Sequence, residues 1–159
     1  MTKNKLEKKF SESLKADTEL WGMKLHNNPL SHQNTPGDYI IDFEGLNSLK
    51  LHLVECKQVT LDEEGKGRLA FKRLKQTHDL IIFDEIRQEH HSWFCIAYKE
   101  KLWANSDIYI VPAKAMRSIV ELFANDLNLV SMSRVNAAAH LAYCKVNMIN
   151  GLIDLSMLK

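Results

Sequence analysis

The residues from Thr35 to Thr60, Thr-Pro-Gly-Asp-Tyr-Ile-Ile-Asp-Phe-Glu-Gly-Leu-Asn-Ser-Leu-Lys-Leu-His-Leu-Val-Glu-Cys-Lys-Gln-Val-Thr, leave the backbone few options. Two runs rich in Ile, Leu, Val and aromatic residues flank the turn-forming Gly45-Leu46-Asn47-Ser48, which is the composition of a β-hairpin. With the turn centred between Leu46 and Asn47, paired residue numbers sum to 93, so Phe43 faces Lys50 and Asp38 faces Glu55. A slip of one residue would swing Asp38 to the other face and leave Asp42 no better placed.

Carboxylates placed directly cross-strand repel each other unless something positive sits between them. A divalent cation supplies that charge. Side chains alternate along a strand, so Lys57 lies on the same side as Glu55 and reaches the same place. Hard carboxylate oxygens with few His or Cys nearby favour Mg²⁺ or Mn²⁺ over zinc, and the ammonium can orient or deprotonate a water beside the metal. The expectation from these residues is phosphodiester hydrolysis.

The order Pro36-Gly37-Asp38, then Glu55-Cys56-Lys57 at the end of a second strand, resembles the PD-(D/E)XK nuclease superfamily. Within it the sequence is most similar to RecU-type Holliday junction resolvases, on an early Phe-x-Glu (Phe10, Glu12), an Asp before an apolar strand, Glu-x-Lys followed by Thr60, and a downstream Gln76. The likeness spans roughly residues 8 to 112. It implies an α/β fold with a restriction-endonuclease-like core, a mixed sheet built on the hairpin and flanked by helices. It also implies an Mg²⁺-dependent endodeoxyribonuclease acting on branched DNA, in which Asp38 and Glu55 bind the metal, the Cys56 carbonyl completes the coordination and Lys57 positions the attacking water. Gln76 and Glu12 would support the site. Since a four-way junction must be cut in two opposed strands, one site per chain implies a symmetric homodimer. Eleven residues, Asn27 to Gly37, stand where RecU-type members carry a longer insertion that engages the branch point.

Length fits one domain over 1–159, with the C-terminal helices expected over 113–159, and an apolar content of 45% is enough for a core. Net charge is only +1, so DNA affinity has to come from local clustering. Lys66, Arg68, Lys72, Arg73 and Lys75 form such a cluster, expected on a helix from Arg68 to Gln88. A solubilising face is one use of it. Beside the hairpin, a phosphate-binding face is preferred. Three widely spaced cysteines, Cys56, Cys95 and Cys144, read as reduced core residues of a cytoplasmic protein in a bacterial cell or phage-infected host. No membrane span and no signal-peptide core is evident.

Leu6, Phe10 and Leu14 predict an amphipathic helix over about Lys3 to Leu20. Glu12 lies off that stripe, either as a solvated glutamate or as an outer member of the metal site. A short strand is expected from Trp21, a loop over 27–37, paired strands over Ser92–Lys99 and Asp107–Val111, and a helix from Ala113 to Ala124 started by Pro112. Ser131 or Ser133 should cap a last helix reaching about Ile149. The apolar tail, with Leu152, Ile153, Leu155, Met157 and Leu158, serves either a dimer interface or the chain's own core. His90 and His91 read as loop residues, and His26, His32, His52, His78 and His140 as isolated core or surface histidines. No Gly-rich phosphate loop, CxxC pair or nucleophile elbow occurs. The rival readings are a superfamily nuclease acting on linear or flap DNA, and a catalytically silent DNA-binding module of the same fold. Intact Asp38, Glu55 and Lys57 argue against the silent version.

Overall fold

The computed structural model of the chain describes residues 5–25, 37–43, 51–75, 77–86 and 91–159. Helix α1 spans Lys5–Ala16 and buries Leu6, Phe10, Ser13 and Leu14, the stripe read from the spacing. It stops earlier than expected because the Asp17 carboxylate accepts the Glu19 N–H at 2.9 Å, which turns the chain out of the helix. Strand β1, Leu20–Lys24, then runs antiparallel to β2, Tyr39–Phe43. A Cβ on Gly22 would sit 2.3 Å from Leu14 Cδ2, so the bare glycine is what lets α1 lie against β1.

Strand β3, Leu51–Thr60, pairs antiparallel with β2 through Tyr39↔Val54, Ile40↔Leu53 and Ile41↔His52. Each pair sums to 93, the register expected from the turn. The single helix expected over Arg68–Gln88 is instead three elements. Strand β4, Arg68–Ala70, is followed by a 3₁₀ turn at Phe71–Arg73 and by α2, Thr77–Ile86. Strand β5, His91–Lys99, returns parallel to β3, and β6, Asp107–Pro112, pairs antiparallel with β5 as expected.

Helix α3, Ala113–Asp126, begins directly after Pro112. Strand β7, Ser131–Ser133, pairs with β4, and this pairing is why the 68–70 segment is extended: Leu69 opposite Met132 is fully buried. Ser133 caps α4, Arg134–His140, in a capping box with Asn136. That helix does not continue to Ile149. Lys145–Val146 forms β8 against β6, and β9, Met148–Ile149, folds back on β10, Leu152–Ile153. Asn150 and Gly151, with φ of 53° and 76°, make the two-residue turn between them.

The main sheet is six-stranded and mixed, ordered β1-β2-β3-β5-β6-β8, and helices flank it. One face packs Tyr39, Ile41, Val54 and Cys56 under α1 and the C-terminal tail. The other packs Leu53, Phe94 and Ile96 under α2, α3 and α4. Ile153, Leu155 and Leu158 are buried, Leu152 and Met157 half-buried, and the Ser13 hydroxyl accepts the Ile153 N–H at 2.8 Å. The tail therefore docks on the chain's own core, which is where its apolar residues are used. All three cysteines are buried and free. Among the described residues no helix is long and apolar enough to cross a membrane.

Candidate active site

Asp38 is held at the mouth of β2 by its backbone. Its N–H donates to Val54 O at 2.8 Å and its carbonyl accepts from Leu25 N at 2.7 Å, so strands on both sides clamp it. A Cβ on Gly37 would meet Leu53 Cγ at 2.8 Å, and glycine is what lets the chain enter so close to β3. Beyond this point β3 runs on without a β2 partner. The Asp38 carboxylate takes over, with Oδ2 accepting the Cys56 N–H at 2.7 Å. In an extended strand a residue's N–H and C=O point to the same side, so the Cys56 carbonyl also faces the Asp38 edge.

Asp38 lies just outside the β2–β3 ladder, which ends at Tyr39↔Val54, and Glu55 is the next residue of β3. It is 5% exposed, and its Oε1 accepts from Lys57 Nζ at 2.8 Å. Burial, with the Asp38 charge adding to it, pushes the Glu55 carboxyl up to about 7, and the Lys57 ammonium offsets only part of this. Asp38 is also raised, by burial first and then by the charge of Glu7, against the pull of the Cys56 N–H, Lys57 and Lys24. The expected trio of Asp38, Glu55 and Lys57 is thus gathered at one edge of the sheet.

The α1 carboxylate whose field reaches this edge is Glu7, a residue that the sequence motifs do not single out. Its backbone carbonyl accepts from the Tyr39 hydroxyl at 2.9 Å, and Lys24 Nζ lies 2.7 Å from its Oε2. Ser11 shares a 2.6 Å hydrogen bond with the same tyrosine hydroxyl, which fixes α1 on β2 at this level. Glu12, read either as a solvated glutamate or as an outer member of the site, pairs with Lys9 at 3.4 Å, with its side chain 43% exposed. At about 100° per residue, Glu7 borders the Leu6-Phe10-Leu14 stripe, whereas Glu12 lies almost opposite it. Gln76 lies outside the described residues.

Among the described residues no three His, Cys, Asp or Glu side chains form a cluster able to hold a metal. The donors that the edge does offer are the Asp38 and Glu55 carboxylates and the Cys56 carbonyl. All are hard oxygens, and buried Glu55 beside half-buried Asp38 carries an electrostatic cost that a divalent cation would relieve. That set fits Mg²⁺ or Mn²⁺.

The basic run is not one helix face. Lys66 pairs with Glu64 at 2.7 Å, Arg68 donates to the Ser131 hydroxyl and carbonyl at 2.7 and 3.0 Å, and Arg73 donates to Gln58 O at 2.9 Å. Lys72 and Lys75 are exposed on the turn before α2. One histidine reading also changes. His91 opens β5 in place of a loop, and its ring stacks 5.7 Å from that of buried His52, which accepts from Trp93 Nε1 at 2.9 Å.

No protein-family profile matches this sequence, and no curated protein is significantly similar to it. The assignment of function therefore rests on the residues themselves.

Proposed function

We propose that this chain is a metal-dependent endodeoxyribonuclease of the PD-(D/E)XK type, with a restriction-endonuclease-like core, that acts on branched DNA in the manner of a RecU-type junction resolvase. The observation that carries the reading is the gathering of Asp38, bonded to the Cys56 N–H, within electrostatic reach of Glu55, to which Lys57 is bonded at 2.8 Å. A buried Glu55 beside the charge of half-buried Asp38 is costly to the fold, and a cation-dependent reaction gives the two acids a use. Asp38 and Glu55, with the Cys56 carbonyl, would hold the ion. When bound, Mg²⁺ supplies Lewis-acid polarisation of the phosphate and lowers the pKa of a coordinated water.

The chain's own residues supply the rest. Lys57 projects from the strand that carries Glu55, so its ammonium can hold the attacking water in line and offset charge growing on the phosphoryl oxygens. Asp38 is locked by the Cys56 N–H, and its backbone by Val54 and Leu25, so the acid cannot swing away. Glu7, fixed by Lys24, adds negative potential that favours cation capture at this edge. Resolution of a four-way junction requires two such sites, hence a homodimer.

The test is a substrate panel of one sequence built as a four-way junction, flap, single strand and linear duplex, incubated with Mg²⁺ and with EDTA. The proposal expects Mg²⁺-dependent cleavage with the junction preferred. Equal cutting of linear duplex would replace junction resolution by general duplex cleavage. Absence of Mg²⁺- or Mn²⁺-dependent cleavage on every member would overturn the proposal.

A further inference from the structure

An open cleft of about 910 Å³ lies at the carboxyl ends of the parallel strands β3 and β5, where Thr60 stands beside Lys99. Crevices outside the carboxyl ends of parallel strands are recurrent ligand sites. This one begins one residue beyond Lys57, because Gln58 and Thr60 form part of its wall. At about 3.3 Å per residue, Thr60 lies about 10 Å along the strand from Lys57. A nucleic-acid strand rises about 3.4 Å per nucleotide, so the cleft is within about three nucleotides of the proposed scissile phosphate.

Four basic and four acidic side chains line it, and the basic ones are not paired with the acidic ones. Lys5, Arg73, Lys99 and Lys101 line it, and among the described residues none of the four forms an ion pair with a carboxylate. The acids on the same wall are largely committed elsewhere. Glu64 pairs with Lys66 at 2.7 Å and Glu100 with Arg134 at 2.5 Å. Asp62 Oδ1 accepts the backbone N–H groups of Glu64 and Lys66, and Asp62 and Glu63 are the wall's carboxylates without a cation partner among the described residues.

Lys99 is 6% exposed, and its ammonium is held by the Glu100 carbonyl at 2.7 Å and lies 4.8 Å over the Trp103 ring. Among the described residues no acid neutralises it. Burial lowers its pKa, and the nearby Lys5 and Lys9 lower it further. A phosphate reaching between these cations would relieve their mutual repulsion.

We propose that this cleft binds the phosphate backbone of the DNA strand running away from the scissile bond, with Lys5, Arg73 and Lys101 as the phosphate-binding residues. The inference rests on the nuclease reading and moves the binding surface from the Lys66–Lys75 run to the strand ends. Arg73 belongs to both, while Lys72 and Lys75 fall outside the cleft.

The experiment is fluorescence anisotropy with a labelled 16-base-pair duplex in EDTA, where binding is read without cleavage, across a salt series. The K5Q/R73Q/K101Q triple variant should bind more weakly, with its log K against log salt slope shallower by about 0.9 for each phosphate it no longer neutralises. K5Q/K101Q leaves the Arg73 bond to Gln58 intact and should show about two-thirds of that slope change, which separates binding from any folding defect of the triple variant. K72Q/K75Q should bind as the wild type. If K5Q/K101Q is folded and binds with the wild-type affinity and slope, the cleft proposal is overturned while wild-type cleavage leaves the nuclease reading standing. A wild-type protein that neither binds nor cuts the duplex, nor a junction built from it, overturns both.

Discussion

Replacing Glu55 by Gln should make the folded protein more stable at pH 8, because the wild-type residue is a buried acid whose charged form is costly to the fold. Its carboxyl titrates near 4.5 when solvated and is pushed up to about 7 in the fold, chiefly by burial and then by Asp38. Between those values the native state holds a proton that the unfolded chain has released, so wild-type stability falls as pH rises through the window and the loss is complete above pH 7. At about 1.36 kcal/mol for each pH unit between the two values, the full loss is about 3 kcal/mol. Gln keeps the shape and an acceptor for Lys57 but has no such proton. Urea denaturation in EDTA should therefore find E55Q more stable than wild type by about 3 kcal/mol at pH 8, with the two curves converging near pH 4. Added Mg²⁺ should close the pH 8 gap from the wild-type side. A ligand of the native state at a hundred times its dissociation constant adds about 2.7 kcal/mol, and E55Q lacks one of the two carboxylates that would hold the ion. An E55Q protein that is less stable than wild type at pH 8, or a gap that does not change with pH, would refute the claim that this carboxylate is electrostatically frustrated.

Three further perturbations test the fold that carries the site. Tyr109 has a buried hydroxyl with no hydrogen-bond partner among the described residues, so Tyr109→Phe should raise stability by about 1 kcal/mol in the same denaturation assay. Leu158→Ala should cost about 3 kcal/mol, since the residue is fully buried against the α1 side of the core; an unchanged midpoint would mean the tail is not docked there. Gly22→Ala drives a methyl to 2.3 Å from Leu14 Cδ2 and should cost about 2 kcal/mol by overpacking, read as a lowered thermal midpoint.

The hairpin was legible because two signals agreed, since strand alternation and the position of the turn both give pairs summing to 93. The α1 stripe was legible for the same reason, but choosing its site residue from Phe-x-Glu selected the solvent-facing Glu12. Helical angle alone would have pointed to Glu7. The segment from Arg68 failed because Phe71, Leu74 and His78 have helical spacing, while Leu69 is claimed by Met132 of β7, some sixty residues away. Nothing local encodes that pairing. The last helix ends short of Ile149 because Asn150-Gly151 is a strong two-residue hairpin signal that pairs the strands on either side of it. The cleft could not be read from sequence, since Lys5, Arg73 and Lys101 come together only when β3 and β5 end side by side.

Parallel measurement of DNA binding and Mg²⁺-dependent cleavage in the wild type, D38N, E55Q, K57A and the D38N/E55Q double variant tests the central claim most directly. On the proposed nuclease reading the two carboxylates and the lysine serve metal and water rather than DNA contacts, so cleavage should fall by orders of magnitude in each variant while anisotropy finds binding largely intact. Undiminished turnover by folded D38N/E55Q would contradict the account.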